Sequence, residues 1–107
     1  MATGTAQNYS KDVAKGIEGQ YAEDGFDVYE WLEGVLDVRR TYGSNGELYS
    51  VDLLVTFGGP TTWLTVRDSD YVDVETSWYS GPATASAYVP GFGAEVLEVF
   101  DSWQITH

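Results

Sequence analysis

The sequence predicts one α+β domain: a four-stranded, mainly antiparallel sheet with helices packed on one face, in the order α-ββββ-α, with a weak extra helix in front. Three observations carry this. Apolar residues in "VYEWLEGVLD" recur at helical spacing, the period falls to two between Asp37 and Trp78, and it lengthens again in "AEVLEVFDSW". At 107 residues, residues 1–107 form a single domain, since a chain of this size buries somewhat over ~60% of its unfolded surface around one core. A hydrophobic content of 43% excludes a disordered acidic tail.

Each element has a local reason. In residues 1–25, Ser10 is a possible cap for a short helix with Val13 and Ile17 inward, but Gly16 and Gly19 each cost a helix about 1 kcal/mol. That segment is expected to be weakly ordered or a short helix. In "FDVYEWLEGVLD", Asp27 is an N-cap, Glu30 completes a capping box, and Phe26 with Trp31 makes a hydrophobic staple. Val28, Trp31, Leu32 and Val35 form its buried stripe, leaving Glu30, Glu33 and Asp37 towards water.

The strands follow. "DVRRTYG" and "LYSVDLLVTFGG" flank a turn at Ser44 to Gly46, where Asn-Gly signals a hairpin. Gly58, Gly59 and Pro60 break the second strand. "TTWLTVRD" and "YVDVETSWYS" form another hairpin around Asp68 to Asp70, with Val72 and Val74 inward and Asp73 and Glu75 outward. "GPATASAYVPGFG" reads as a loop with one short extended piece. The last helix buries Val96, Val99, Phe100 and Trp103 and turns Glu95, Glu98 and Asp101 outward.

Charge is the strongest functional signal. Seventeen acids against five bases give a net charge of -12, which repels nucleic acid and anionic lipid, so neither direct nucleic-acid binding nor membrane association is expected. With no cysteine there is no thiol nucleophile and no cysteine-held zinc. The single histidine, His107, ends the chain, and no carboxylate pair stands out among so many acids, so neither catalysis nor a cofactor is expected. An EF-hand loop starting at Asp68 would need an oxygen ligand, glycine and glutamate where the chain has Val72, Asp73 and Tyr79, so no metal site is expected. The start, "MATGTAQNYSKDVAKG", lacks the apolar stretch of a signal peptide, which points to the cytoplasm.

What remains is a binding surface. A radius of gyration near ~13 Å implies a long dimension of roughly 34 Å. Duplex DNA of that length carries about 20 charges. Acids two apart on a strand stand ~6.8 Å apart, about two duplex steps. Asp68, Asp70, Asp73 and Glu75 are therefore the expected centre of a DNA-like surface, extended by Glu30, Glu33 and Asp37, with Tyr71 among them as an interface aromatic. Tyr29 and Tyr79 also fall near acids. The rival reading is that acidity serves only solubility or a salty cytoplasm.

The stretch "VYEWLEGVLDVRRTYGSNGELYSVDLLVTFGGPTTWLTVR", then "VETSWYSG" and an acidic C-terminal helix, resembles small acidic proteins of phages and conjugative elements in gut Firmicutes and Actinobacteria. The distinctive part is Gly58, Gly59, Pro60 and Trp63, with Trp78 after the next strand; "RDSDYVD" departs from the usual shorter turn. The resemblance implies an anti-CRISPR protein, a type I-C inhibitor acting in the host cytoplasm. Its partner would be a basic DNA-binding subunit, the large or PAM-reading subunit of a type I CRISPR complex. Restriction or repair enzymes are alternative targets, and a non-mimic accessory protein of a mobile element is the alternative class.

Overall fold

The computed structural model describes residues 6–78 and 81–106. Its α+β architecture has helices on one face of an antiparallel sheet, as the periodicity predicts, but the sheet has five strands. These are β1 (Asp37–Tyr42), β2 (Leu48–Thr56), β3 (Thr61–Arg67), β4 (Tyr71–Trp78) and β5 (Gly81–Tyr88), in the spatial order β1-β2-β3-β4-β5. Each strand is antiparallel to its sequence neighbour.

The strand beyond the expected four is β5, in a segment whose sequence predicts a loop with one short extended piece. Ala83, Ala85 and Ala87 stand opposite Thr76, Val74 and Val72, while Thr84, Ser86 and Tyr88 face the other way. Period two is therefore present, but alanine is a poor strand former and hides it.

Small inward residues suit what covers them. Helix α1 (Ala6–Ala22) runs 17 residues and buries Ala6, Ser10, Ala14 and Ile17 against β4 and β5. It is longer than the weak or short helix expected of residues 1–25, because tertiary packing offsets its two glycines. Ser10 Oγ donates to Thr76 Oγ1 at 2.6 Å, and Thr76 Oγ1 lies 3.2 Å from Thr62 Oγ1, all three side chains fully buried. This hydroxyl chain pins the helix to one position, since a buried hydroxyl left unpaired is costly.

Helix α2 (Val28–Leu32) is shorter than the sequence predicts. Asp27 caps it, Oδ1 accepting from the backbone N–H of Tyr29 at 2.9 Å and of Glu30 at 3.4 Å. Glu33 and Gly34 then turn the chain, and Leu36 N donates to Leu54 O at 2.7 Å, drawing it into β1. Val28, Trp31, Leu32 and Val35 are consequently half-buried at the edge of the core rather than within it.

Helix α3 (Phe92–Thr106) closes the domain, burying Phe92, Val96, Val99 and Phe100. Phe92 is ringed by Tyr21, Phe26 and Trp31, with centroids 5.4, 6.2 and 5.3 Å away in edge-on contact. The inner sheet face supplies Val51, Leu53, Leu64, Val66, Val72 and Val74. Tyr79 and His107 lie outside the described residues, as does the side chain of Trp103.

Both sheet edges are protected. On β5, Gln7 Nε2 donates to Thr84 O at 2.9 Å and Glu18 accepts from Tyr88 N at 2.7 Å, so α1 occupies that edge. Strand β1 instead carries Arg39 and Arg40 and shifts register against β2 near Tyr42, devices that discourage strand addition.

Candidate functional site

Up-and-down topology brings alternate turns to the same end of the sheet. The β1–β2 turn with Glu47, the β3–β4 turn with Asp68 and Asp70, and the start of α3 all meet there. The β3–β4 turn is held by backbone bonds: Ser69 N donates to Arg67 O, and Val89 N donates to Asp70 O, both at 2.8 Å. Tyr71 N donates to Ser69 Oγ at 3.2 Å. Asp68 and Asp70 are exposed on this braced turn.

Asp73 and Glu75 stand on the helix-free face of β4, opposite Thr65 and Trp63 of β3. They differ in state. Asp73 forms an ion pair with Arg67, while Glu75 is exposed. Asp37 lies on the same face in the row Asp37–Leu54–Trp63–Glu75, three strands from Glu75 and thus about 14 Å away. Its Oδ1 accepts from the backbone N–H of Val38. The face is electrically mixed: Asp52 accepts from Thr65 Oγ1 at 2.7 Å, and the Arg39 guanidinium lies 4.3 Å from the Trp63 ring centroid.

Glu30 and Glu33 do not join this set. Glu30 sits on α2 and Glu33 is its C-cap, and α2 packs on the helix-bearing side. Tyr71 is 54% exposed, and its ring lies 5.2 Å from that of Tyr88, itself 52% exposed and its register partner on β5. Sequence does not single out Tyr88, because its segment predicts a loop with one short extended piece and no register partner for Tyr71.

One meeting of carboxylates draws on segments far apart in the chain. Glu47, Asp68, Glu98 and Asp101 line one groove of about 500 Å³ between α3 and the two turns, floored by Leu48, Ala94 and Leu97. Among the described residues no lysine or arginine lines it. Outward spacing on the last helix marks Glu98 and Asp101 from sequence, but their approach to Glu47 and Asp68 depends on topology.

Among the described residues, no three acidic or histidine side chains converge closely enough to hold a metal ion. No helix among them is long and apolar enough to cross a membrane. No protein-family model, curated protein or solved structure matches the chain.

Proposed function

We propose that this protein is a non-catalytic inhibitor that imitates duplex DNA and occupies the basic DNA-reading site of a host complex. The partner implied by the resemblance is the type I-C CRISPR surveillance complex, at the subunit that reads the PAM. The observation that carries the reading is the groove where Glu47, Asp68, Glu98 and Asp101 meet with, among the described residues, no lysine or arginine in its lining, next to exposed Asp70.

The chemistry is substitution of carboxylate for phosphate. A PAM reader offers arginine and lysine to phosphates and base edges. Glu95, Glu98 and Asp101 follow one another at three-residue helical spacing, ~5 to 6 Å apart, and Asp73 and Glu75 at ~6.8 Å, close to two duplex steps. The chain extends 48 Å along its longest axis, so a duplex of that length carries about 28 charges and the net -12 is under half of them. Imitation therefore has to be local, at the end where the acids gather.

The test separates position from net charge. The triple variant Asp68→Asn, Glu98→Gln, Asp101→Asn removes three of the four groove carboxylates and leaves the Arg67–Asp73 pair intact. With each charge-assisted contact contributing ~1.5 to 3 kcal/mol, loss of two weakens binding to the purified complex roughly 10² to 10⁴-fold in a target-DNA competition assay. Asp12→Asn, Glu18→Gln, Glu33→Gln removes the same charge elsewhere, with the new amide at position 18 keeping an oxygen to accept from Tyr88 N, and leaves competition near wild type. Equal competition by both triples refutes the reading, as does a shift of labelled DNA by the protein alone.

A further inference from the structure

The helix-bearing side holds a second surface that DNA imitation does not use. Between α1, α2 and the end of β2 runs an apolar trough of about 400 Å³, with Val13, Ile17, Trp31, Val35 and Val55 in its lining. Trp31 is set as a wall because its Nε1 donates to Gln20 Oε1 at 3.1 Å. An adjoining groove shares Gln20 and Trp31 and is lined by Glu23, Asp24, Asp27 and Glu30. Among the described residues no lysine or arginine lines either one.

We infer that this trough docks a basic amphipathic helix of a partner protein, apolar side chains entering the trough and lysine or arginine meeting the acidic rim. Charge complementarity selects that occupant. The rim repels nucleic acid and anionic lipid, and a neutral apolar ligand gains nothing from four carboxylates beside its site. An amphipathic helix presents the matching surface, an apolar stripe at i, i+3 and i+4 with cationic residues along its flank.

Gly16 supports the same assignment. It lies in the trough wall within α1, where glycine weakens a helix, and a Cβ built there meets no heavy atom within 4 Å. The position thus has room for a side chain and lacks one, which lets a partner's backbone approach closely. The surface also accounts for Glu30, which lies apart from Asp68 and Asp70.

The probe is a synthetic amphipathic peptide with leucine on one helical face and lysine on the other, titrated calorimetrically and by backbone amide shifts. Binding is expected, with the largest shifts at Gly16, Gly34 and Val55. A scrambled peptide of the same composition should bind about ten-fold more weakly or worse, and a leucine–glutamate version should not bind. Gly16→Leu, which fills the trough from an uncrowded position, should fold at least as stably and lose about ten-fold or more of the affinity. Glu23→Gln, Asp24→Asn, Glu30→Gln should weaken binding and flatten its salt dependence. No binding to the wild-type protein, equal binding of the scrambled peptide, or unchanged affinity in both variants overturns the proposal. None of these outcomes bears on the DNA competition assay, which uses the other surface.

Discussion

Gly93 shows how much one missing side chain can determine. It sits in the first turn of α3 against the β3–β4 turn, where a Cβ would overlap the Arg67 carbonyl oxygen and stand 2.9 Å from that of Ser69. Both obstacles are backbone, so neither can swing aside. Gly93→Ala should cost about 3 kcal/mol or more in denaturant unfolding, and the turn carrying Asp68 and Asp70 should loosen with it. Tyr21 offers a test of another kind. Burial, helped by the nearby Glu95 carboxylate, raises its phenol above the usual value of 10.0. Below pH ~10 the phenol is protonated in folded and unfolded chains alike and its contribution is intact. As pH rises from the unfolded value to the raised folded one, the native state holds a proton that the unfolded chain has released, so stability falls until the folded value is passed. Unfolding curves at rising alkaline pH should therefore drop more steeply for the wild type than for Tyr21→Phe.

Among the elements, legibility followed side-chain size. The two hairpins, the Gly58–Pro60 break and the burial of Val72, Val74, Val96 and Phe100 follow from alternation and helical spacing of large apolar residues. The full length of α1 and the strand β5 did not. Their contact is made by Ala6, Ser10, Ala14, Ala83, Ala85 and Ala87, residues that bring helix and sheet close but give little hydrophobic signal. Helix α2 failed in the opposite sense: its apolar spacing is strong, yet Gly34 and the backbone bond from Leu36 to Leu54 end it early. Since α1 is held by packing rather than propensity, its glycines still weigh on it. Gly19 has no heavy atom within 4 Å of a Cβ position, so Gly19→Ala should raise stability by up to about 1 kcal/mol, a rise of a few degrees in the thermal midpoint.

At the scale of the molecule, the candidate site was legible only in part. Asp68, Asp70, Asp73 and Glu75 announce themselves as a local run, and the alternation of β4 places the last two correctly. The ion pair that occupies Asp73, and the approach of Glu47, Glu98 and Asp101 to Asp68, arise from strand order and the path of α3. Local spacing carries no record of either. The net charge of -12 leaves a global signature as well. Like charges on a compact surface repel, and the Debye length shrinks from ~30 Å at 0.01 M to ~8 Å at 0.15 M. The melting temperature should therefore climb over that range and then level off. A continued climb to molar salt would favour adaptation to a saline cytoplasm over a surface shaped for a partner.

The attachment of α1 to the far strands also sets an order of events during synthesis. Ser10 meets Thr76, Gln7 meets Thr84 and Glu18 meets Tyr88, pairs separated by 66 to 77 residues. Every strand, by contrast, pairs with the one made just before it, so the sheet can zip up progressively as the chain leaves the ribosome. Helix α1, made before every strand, is thus among the last elements to find its place, waiting unpartnered until β5 has appeared. The four residues it buries deepest, Ala6, Ser10, Ala14 and Ile17, are mostly small and suit that wait, leaving Val13 and Tyr21 as the larger apolar surface shown to other nascent chains in the meantime.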